Sequence, residues 1–167
     1  GAVDASVSGL LTLTTDFTVA AGAILQQSGT SGGAADVLGT VRRTDLGASA
    51  RSFGNPNNTI AINSGTAPTQ LDATLVKAAP ASFPAAVKVV PRDITLNPTG
   101  GSGMSATVKL RYITPGELVG GITESNLVLW KNVGGTTWTP QGGTVDAVNH
   151  AVTLAGVTSF SEWAIAE

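Results

Sequence analysis

The sequence predicts an all-β fold, a two-sheet antiparallel β-sandwich preceded by an N-terminal strand arm, and three observations carry that expectation. Short segments alternating apolar and polar residues recur along the chain. Gly, Pro and Asn clusters punctuate them, with 21 Gly and 8 Pro among 167 residues. No window of helical length carries an i, i+3, i+4 apolar stripe. Many short strands in a chain of one-domain length imply two packed sheets.

Residues 1–27 differ in texture from the rest. Leu11, Leu13, Phe17, Val19, Ile24 and Leu25 fall in short beats separated by Thr-Asp and Ala-Gly, much like rungs of a parallel β-helix. Two rungs cannot bury their own faces, since solenoids need about three or more repeats. The arm must lean on another surface, either the body of this chain or a neighbour. The expectation is therefore an arm over 1–27 and a sandwich domain over 28–167. The arm strands at 10–14 and 17–20 would pair with a neighbour's sheet edge, placing Leu11, Leu13, Phe17 and Val19 in apolar pockets.

Within the body, strands are expected at 37–43, 59–63, 71–77, 87–90 and 93–96. The clearest one spans 106–113, where Ala106, Val108, Leu110 and Tyr112 point one way while Thr107, Lys109, Arg111 and Ile113 point the other. Lys109 and Arg111 should face solvent or a rim. Thr114-Pro115-Gly116-Glu117 has capping-box spacing, but Gly120-Gly121 would stop a helix within about two turns, leaving a helical turn between sheets. Strands follow at 126–131, 136–139, 143–146, 151–154 and 162–166. Val133-Gly134-Gly135-Thr136 suits a tight hairpin, and 146–150 can turn between Val145 and Val152. The expected core includes Val108, Leu110, Leu127, Leu129, Val152, Leu154 and Ile165. The stretch 77–84, with Ala and two Pro, reads as a connection at a sheet edge.

Composition narrows the function classes. Charged residues are 12% of the chain, about half the usual share, and no apolar run approaches the ~20 residues of a transmembrane helix. Polar surface must come from Thr, Ser, Asn and Gln, as in secreted bacterial β proteins. A net charge of −2 with scattered Lys and Arg gives no basic stripe for nucleic acid and no polybasic membrane patch. Zero Cys excludes disulfides and thiolate metal sites. A start at Gly1, with no Met and no charged segment ahead of an apolar core, fits removal of a signal peptide.

From Phe53-Gly54-Asn55-Pro56 onward the sequence resembles a module of large secreted proteins of environmental bacteria, where it often follows β-helix-like repeats. The features that carry the resemblance are that turn, the loop from Asn97-Pro98 to Gly103 leading into Ala106-Thr107-Val108-Lys109-Leu110, the run Glu124-Ser125-Asn126-Leu127-Val128-Leu129-Trp130, and the ending Gly156-Val157-Thr158-Ser159-Phe160-Ser161-Glu162-Trp163. The resemblance covers roughly the last two thirds of the chain. It implies fold and an extracellular location, and carries no catalytic residues.

No enzyme is expected. His150 is the only histidine, which rules out a His-rich zinc site and leaves a solvent-exposed turn residue as its reading. Asp72, Asp93, Glu117 and Asp146 form no local acid–base motif, so turn capping and solubility are their default roles. Asn55, Asn57 and Asn58 cluster beside Pro56 and read as turn formers, since a calcium loop of the Asp-x-Asp-x-Asp-Gly type is absent. Trp130 and Trp163 read as core. Trp138, among Thr and Pro, is the most exposed candidate and a possible contact for a sugar ring. No cofactor or metal is expected. These readings converge on an extracellular structural module of a fibre, sheath or adhesin that buries surface against copies of itself or adjacent modules. A carbohydrate-binding or adhesive module and an accessory domain of a secreted enzyme are the alternatives.

Overall fold

The computed structural model describes residues 4–167. The first three residues of the expected arm lie outside them. The chain begins by coiling. Strands β1 (Ala5–Val7), β2 (Leu11–Leu13) and β3 (Phe17–Thr18) make one turn of a coil; β4 (Ile24–Gln27), β5 (Ser31–Gly33) and the start of β6 (Val37–Arg43) make the next. Pairing is parallel, with Ala5 opposite Leu25, Leu11 opposite Ser31 and Phe17 opposite Val37, each partner 20 positions further on. Two carboxylates repeat that period: Ile24 N donates to Asp4 Oδ1 at 2.9 Å, and Asp36 N donates to Asp16 Oδ1 at 3.0 Å.

Strand β6 leads from coil to body. Its first residues lie against β3, and its remainder lies against β4 with Leu25 opposite Val41. Gly39 sits between the two halves at φ 100°, and a Cβ there would fall 2.7 Å from the Val19 carbonyl oxygen. Only glycine fits that corner.

From β6 the sheet continues antiparallel through β9 (Gln70–Val76), β10 (Asp93–Thr99), β16 (Glu162–Ala166), β12 (Val128–Gly134) and β13 (Thr137–Gly142). With β1, β3 and β4 it becomes a mixed nine-stranded sheet. A second, five-stranded sheet runs in the order β14 (Thr144–Asp146), β15 (Ala151–Val157), β11 (Ser102–Arg111), β8 (Thr59–Thr66), β7 (Arg51–Ser52). Strands β2 and β5 pair alone. The all-β expectation holds at this level. The expectation of two purely antiparallel sheets does not, because the N-terminal strands are joined by coil corners. Such corners bring successive strands back in the same direction, as a hairpin cannot.

One buried cluster takes Leu71, Leu75, Ile94 and Trp163 from the large sheet and Ile60, Ile62, Val108 and Leu110 from the second. Along β11 the buried positions Met104, Ala106, Val108 and Leu110 alternate with more accessible ones. That is the period of a strand with one face in the core. Leu127, Leu129, Val152 and Ile165 are buried, whereas Leu154 is only half-buried. The turn at 114–117 makes one helical bond, Glu117 N to Ile113 O at 2.8 Å. At 87–90 there is a single bridge, Val89 to Ala166, in place of the expected strand.

Candidate functional site

The expected arm coils on its own chain. Leu11, Leu13 and Val19 are half-buried and pack against the common core, and Phe17 is 44% exposed. Within the chain these residues lie on or beside strands that already have a partner, because the 20-residue period returns the first coil to strands between 24 and 43. The boundary expected at 27 falls inside the second coil, at the end of β4.

The two sides of this coil pair are unlike. On the side facing the body, the buried Arg43 guanidinium donates to Ser28 O at 3.0 Å, Gly29 O at 2.8 Å and Ser52 O at 2.8 Å, and is paired with Asp45 at 2.8 Å. It satisfies the carbonyls that a third full coil would otherwise meet. On the other side, β1 and β2 have no further strand beside them among the described residues, and Leu10 and Phe17 of this first coil are exposed. That unpaired rim is the principal candidate for a contact surface.

A buried ionic junction binds coil to body. Asp36 and Arg92 are both fully buried, and Asp36 Oδ2 accepts from Arg92 Nη2 at 2.6 Å and from Arg111 Nη1 at 2.9 Å. Arg92 Nε donates to Glu117 Oε2 at 2.6 Å. Burial alone would lower the Arg92 pKa, but Glu117 and Asp36 outweigh it and hold the guanidinium charged. Lys77 adds a bond to Asp16 at 2.6 Å. Burial of Asp16 opposes ionisation, yet Lys77 and the Asp36 amide keep its carboxyl below the ordinary range. Arg111, expected at a solvent rim, also donates to Ala34 O and so reaches across to the coil. Glu117 is a buried partner of arginine, not a solubilising loop carboxylate. The sequence carried no local sign of this junction, because its bonded partners lie up to 77 positions apart.

The remaining candidates resolve into structural roles. Trp138 is 7% exposed: Phe83, from the connection between β9 and β10, stands edge-on to it at 4.9 Å and to Trp130 at 5.6 Å. The Trp138 indole donates to Ser82 Oγ at 3.1 Å. Its expected exposure is corrected, because that connection folds over the sheet face and covers it. His150 occupies a left-handed turn position at φ 50° and lies 3.1 Å from Glu124 Oε1, which also accepts from the Tyr112 hydroxyl at 2.8 Å. Burial and the Glu124 carboxylate push the Tyr112 pKa up. Asp146 holds the same turn through Asn149 and Val148, and the Asn149 bonds draw its pKa down to about 2. Asn55 donates to Ala35 O at 2.7 Å, and Asn58 accepts from Arg111 N at 2.8 Å. These amides are turn formers that clip the coil and β11 together. Among the described residues no group of three or more His, Asp or Glu side chains is placed to hold a metal ion. No protein family, no curated protein and no solved structure matches the chain.

Proposed function

We propose that this chain is a structural module of an extracellular surface protein, in which two large sheets packed as a β-sandwich carry a short β-coil whose free rim accepts a further strand coil. The observation that supports this best is the asymmetry of the coil. Its inner side ends on the Arg43 cap, while along its outer side β1 and β2 have no further strand among the described residues, and Leu10 and Phe17 of the same coil are exposed. Unpaired strand edges invite pairing. The parallel period of 20 specifies the occupant as another coil of the same pitch. Low charge favours the reading, since few ions need be desolvated when such a surface is covered.

The test is a fusion that repeats residues 4–23 in register directly ahead of Asp4. A compatible rim should raise the melting temperature and protect the Leu11 and Phe17 amides from hydrogen exchange. A repeat that proteases trim away, with the melting temperature unmoved, would refute the stacking role. A strand-breaking version of the repeat, with Pro at its central β positions, is the matched control.

A further inference from the structure

We propose that the outer face of the nine-stranded sheet holds a binding cleft for a neutral glycan, at a place unrelated to Trp138 and independent of the coil rim. Side chains facing away from the core form ranks across the sheet. One rank runs Ile24, Thr40, Thr74, Thr95, Glu162 on β4, β6, β9, β10 and β16, in direct register. The next contains Arg42, Asp72 and Asn97. Apart from Arg42, these residues floor an open cleft of about 510 Å³, walled by the turn at Gly22 on one side and by Phe160 and Ser161 on the other. From Thr40 to Glu162 the rank crosses four strands, about 14 Å at ordinary strand spacing. That is room for more than one sugar ring.

The chemistry of the cleft selects the ligand class. The neighbouring guanidinium, Arg42, is already neutralised, because it holds Asp72 through two bonds of 2.7 and 2.6 Å. Glu162 accepts from Asn132 at 2.8 Å and places a carboxyl group at the other end. An anionic polymer would therefore meet carboxylates with no free cation among these residues. A peptide strand would gain little, since backbone groups in the middle of a sheet are already paired and strand addition belongs to edges. What the floor offers is hydroxyls, an amide and carboxylate oxygens at close, regular spacing, with Thr95 and Asn97 exposed. Such groups match the paired donors and acceptors of neighbouring sugar hydroxyls. Phe160, half-buried in the wall, presents an apolar ring to the C–H face of a pyranose.

Affinity gel electrophoresis against soluble starch, laminarin, xyloglucan and galactomannan, with alginate as the anionic control, tests the proposal. Retardation by at least one of the neutral polymers is expected, with none by alginate. Thr95→Tyr, which fills the floor from an exposed strand position, and Phe160→Ala should each weaken that retardation about tenfold or more. A thermal melt of Thr95→Tyr matching that of the parent separates loss of the cleft from loss of the fold. The proposal is overturned if all four neutral polymers leave migration unchanged, if alginate is the polymer retained, or if retardation survives Thr95→Tyr.

Discussion

On the inner side of the coil pair, Arg43 spends three donors on the carbonyls of Ser28, Gly29 and Ser52, while on the outer side β1 and β2 have no partner strand among the described residues. Both sides face the same problem, that a coil of parallel strands leaves a row of backbone groups at each end. Inside, one side chain ends the pattern and hands the chain to antiparallel sheets. Outside, the pattern is left ready to continue. The far edge of the nine-stranded sheet behaves like the inner side: β13 carries Pro140, which cannot donate to an added strand. Among the described residues, protection is thus present at β13 and at the Arg43 side of the coil and absent along β1 and β2.

Three measurements break or sharpen that contrast. The largest effect should come from Arg43→Met, which takes the buried guanidinium from three carbonyls and leaves Asp45 with Arg51 alone. We expect a loss of about 3–5 kcal/mol, read from the urea midpoint. A loss below about 1 kcal/mol would mean that Arg43 does not cap the coil.

A pH series separates the coil from the middle of the sheet. Asp45, bonded to Arg43, and Asp16, where burial is outweighed by Lys77, the Asp36 amide and Arg92 together, have lowered pKa values. Their contribution is present above the ordinary carboxylate pKa and is lost as pH falls through the lowered one. Asp93 runs the other way. Burial first, and then the neighbouring Glu162 charge, push its pKa up to about 6. Its protonated form suits the fold, so its contribution is full at low pH and fades as pH rises through about 6. Asp93→Asn should therefore raise the urea midpoint at about pH 7.5, with the gain vanishing towards about pH 4. A gain of equal size at both pH values would remove Asp93 as the cause.

The smallest effect belongs to the open rim. Asp4→Ala removes the bond from Ile24 N, an exposed contact worth about 0.5–1 kcal/mol. Faster exchange of the Ile24 amide with an unchanged global midpoint is the expected result. A large drop in global stability would show that the rim is tied into the cooperative fold as firmly as the capped side.

Much of the body was legible in the sequence because its signals are local. The alternation along β11, the glycines of the β12–β13 hairpin and the turn at 146–150 each declare themselves within a few residues. The coil was half legible. Its beats at Leu11, Leu13, Phe17, Val19, Ile24 and Leu25 are visible, but β5 is Ser31-Gly32-Gly33, with no apolar residue to mark it. Without β5 and the join at Gly39, nothing showed that the arm closes on its own chain. Trp138 was misread for a related reason. Its burial depends on Phe83, 55 positions earlier, and no property of the Thr and Pro beside Trp138 reports that contact. The outer-face cleft was equally hidden, since its rank of hydroxyls exists only once four strands are in register.

The position of β16 has a mechanical consequence. This last strand lies between β10 and β12, antiparallel to both, so tension applied at Glu167 along the strand would strain two ladders of hydrogen bonds together. The same tension applied to β1, which has one strand neighbour among the described residues, would load a single short ladder, with Leu25, Gln26 and Gln27. The chain would thus resist a pull at Glu167 through two ladders and a pull at β1 through one, so the coil end should yield first.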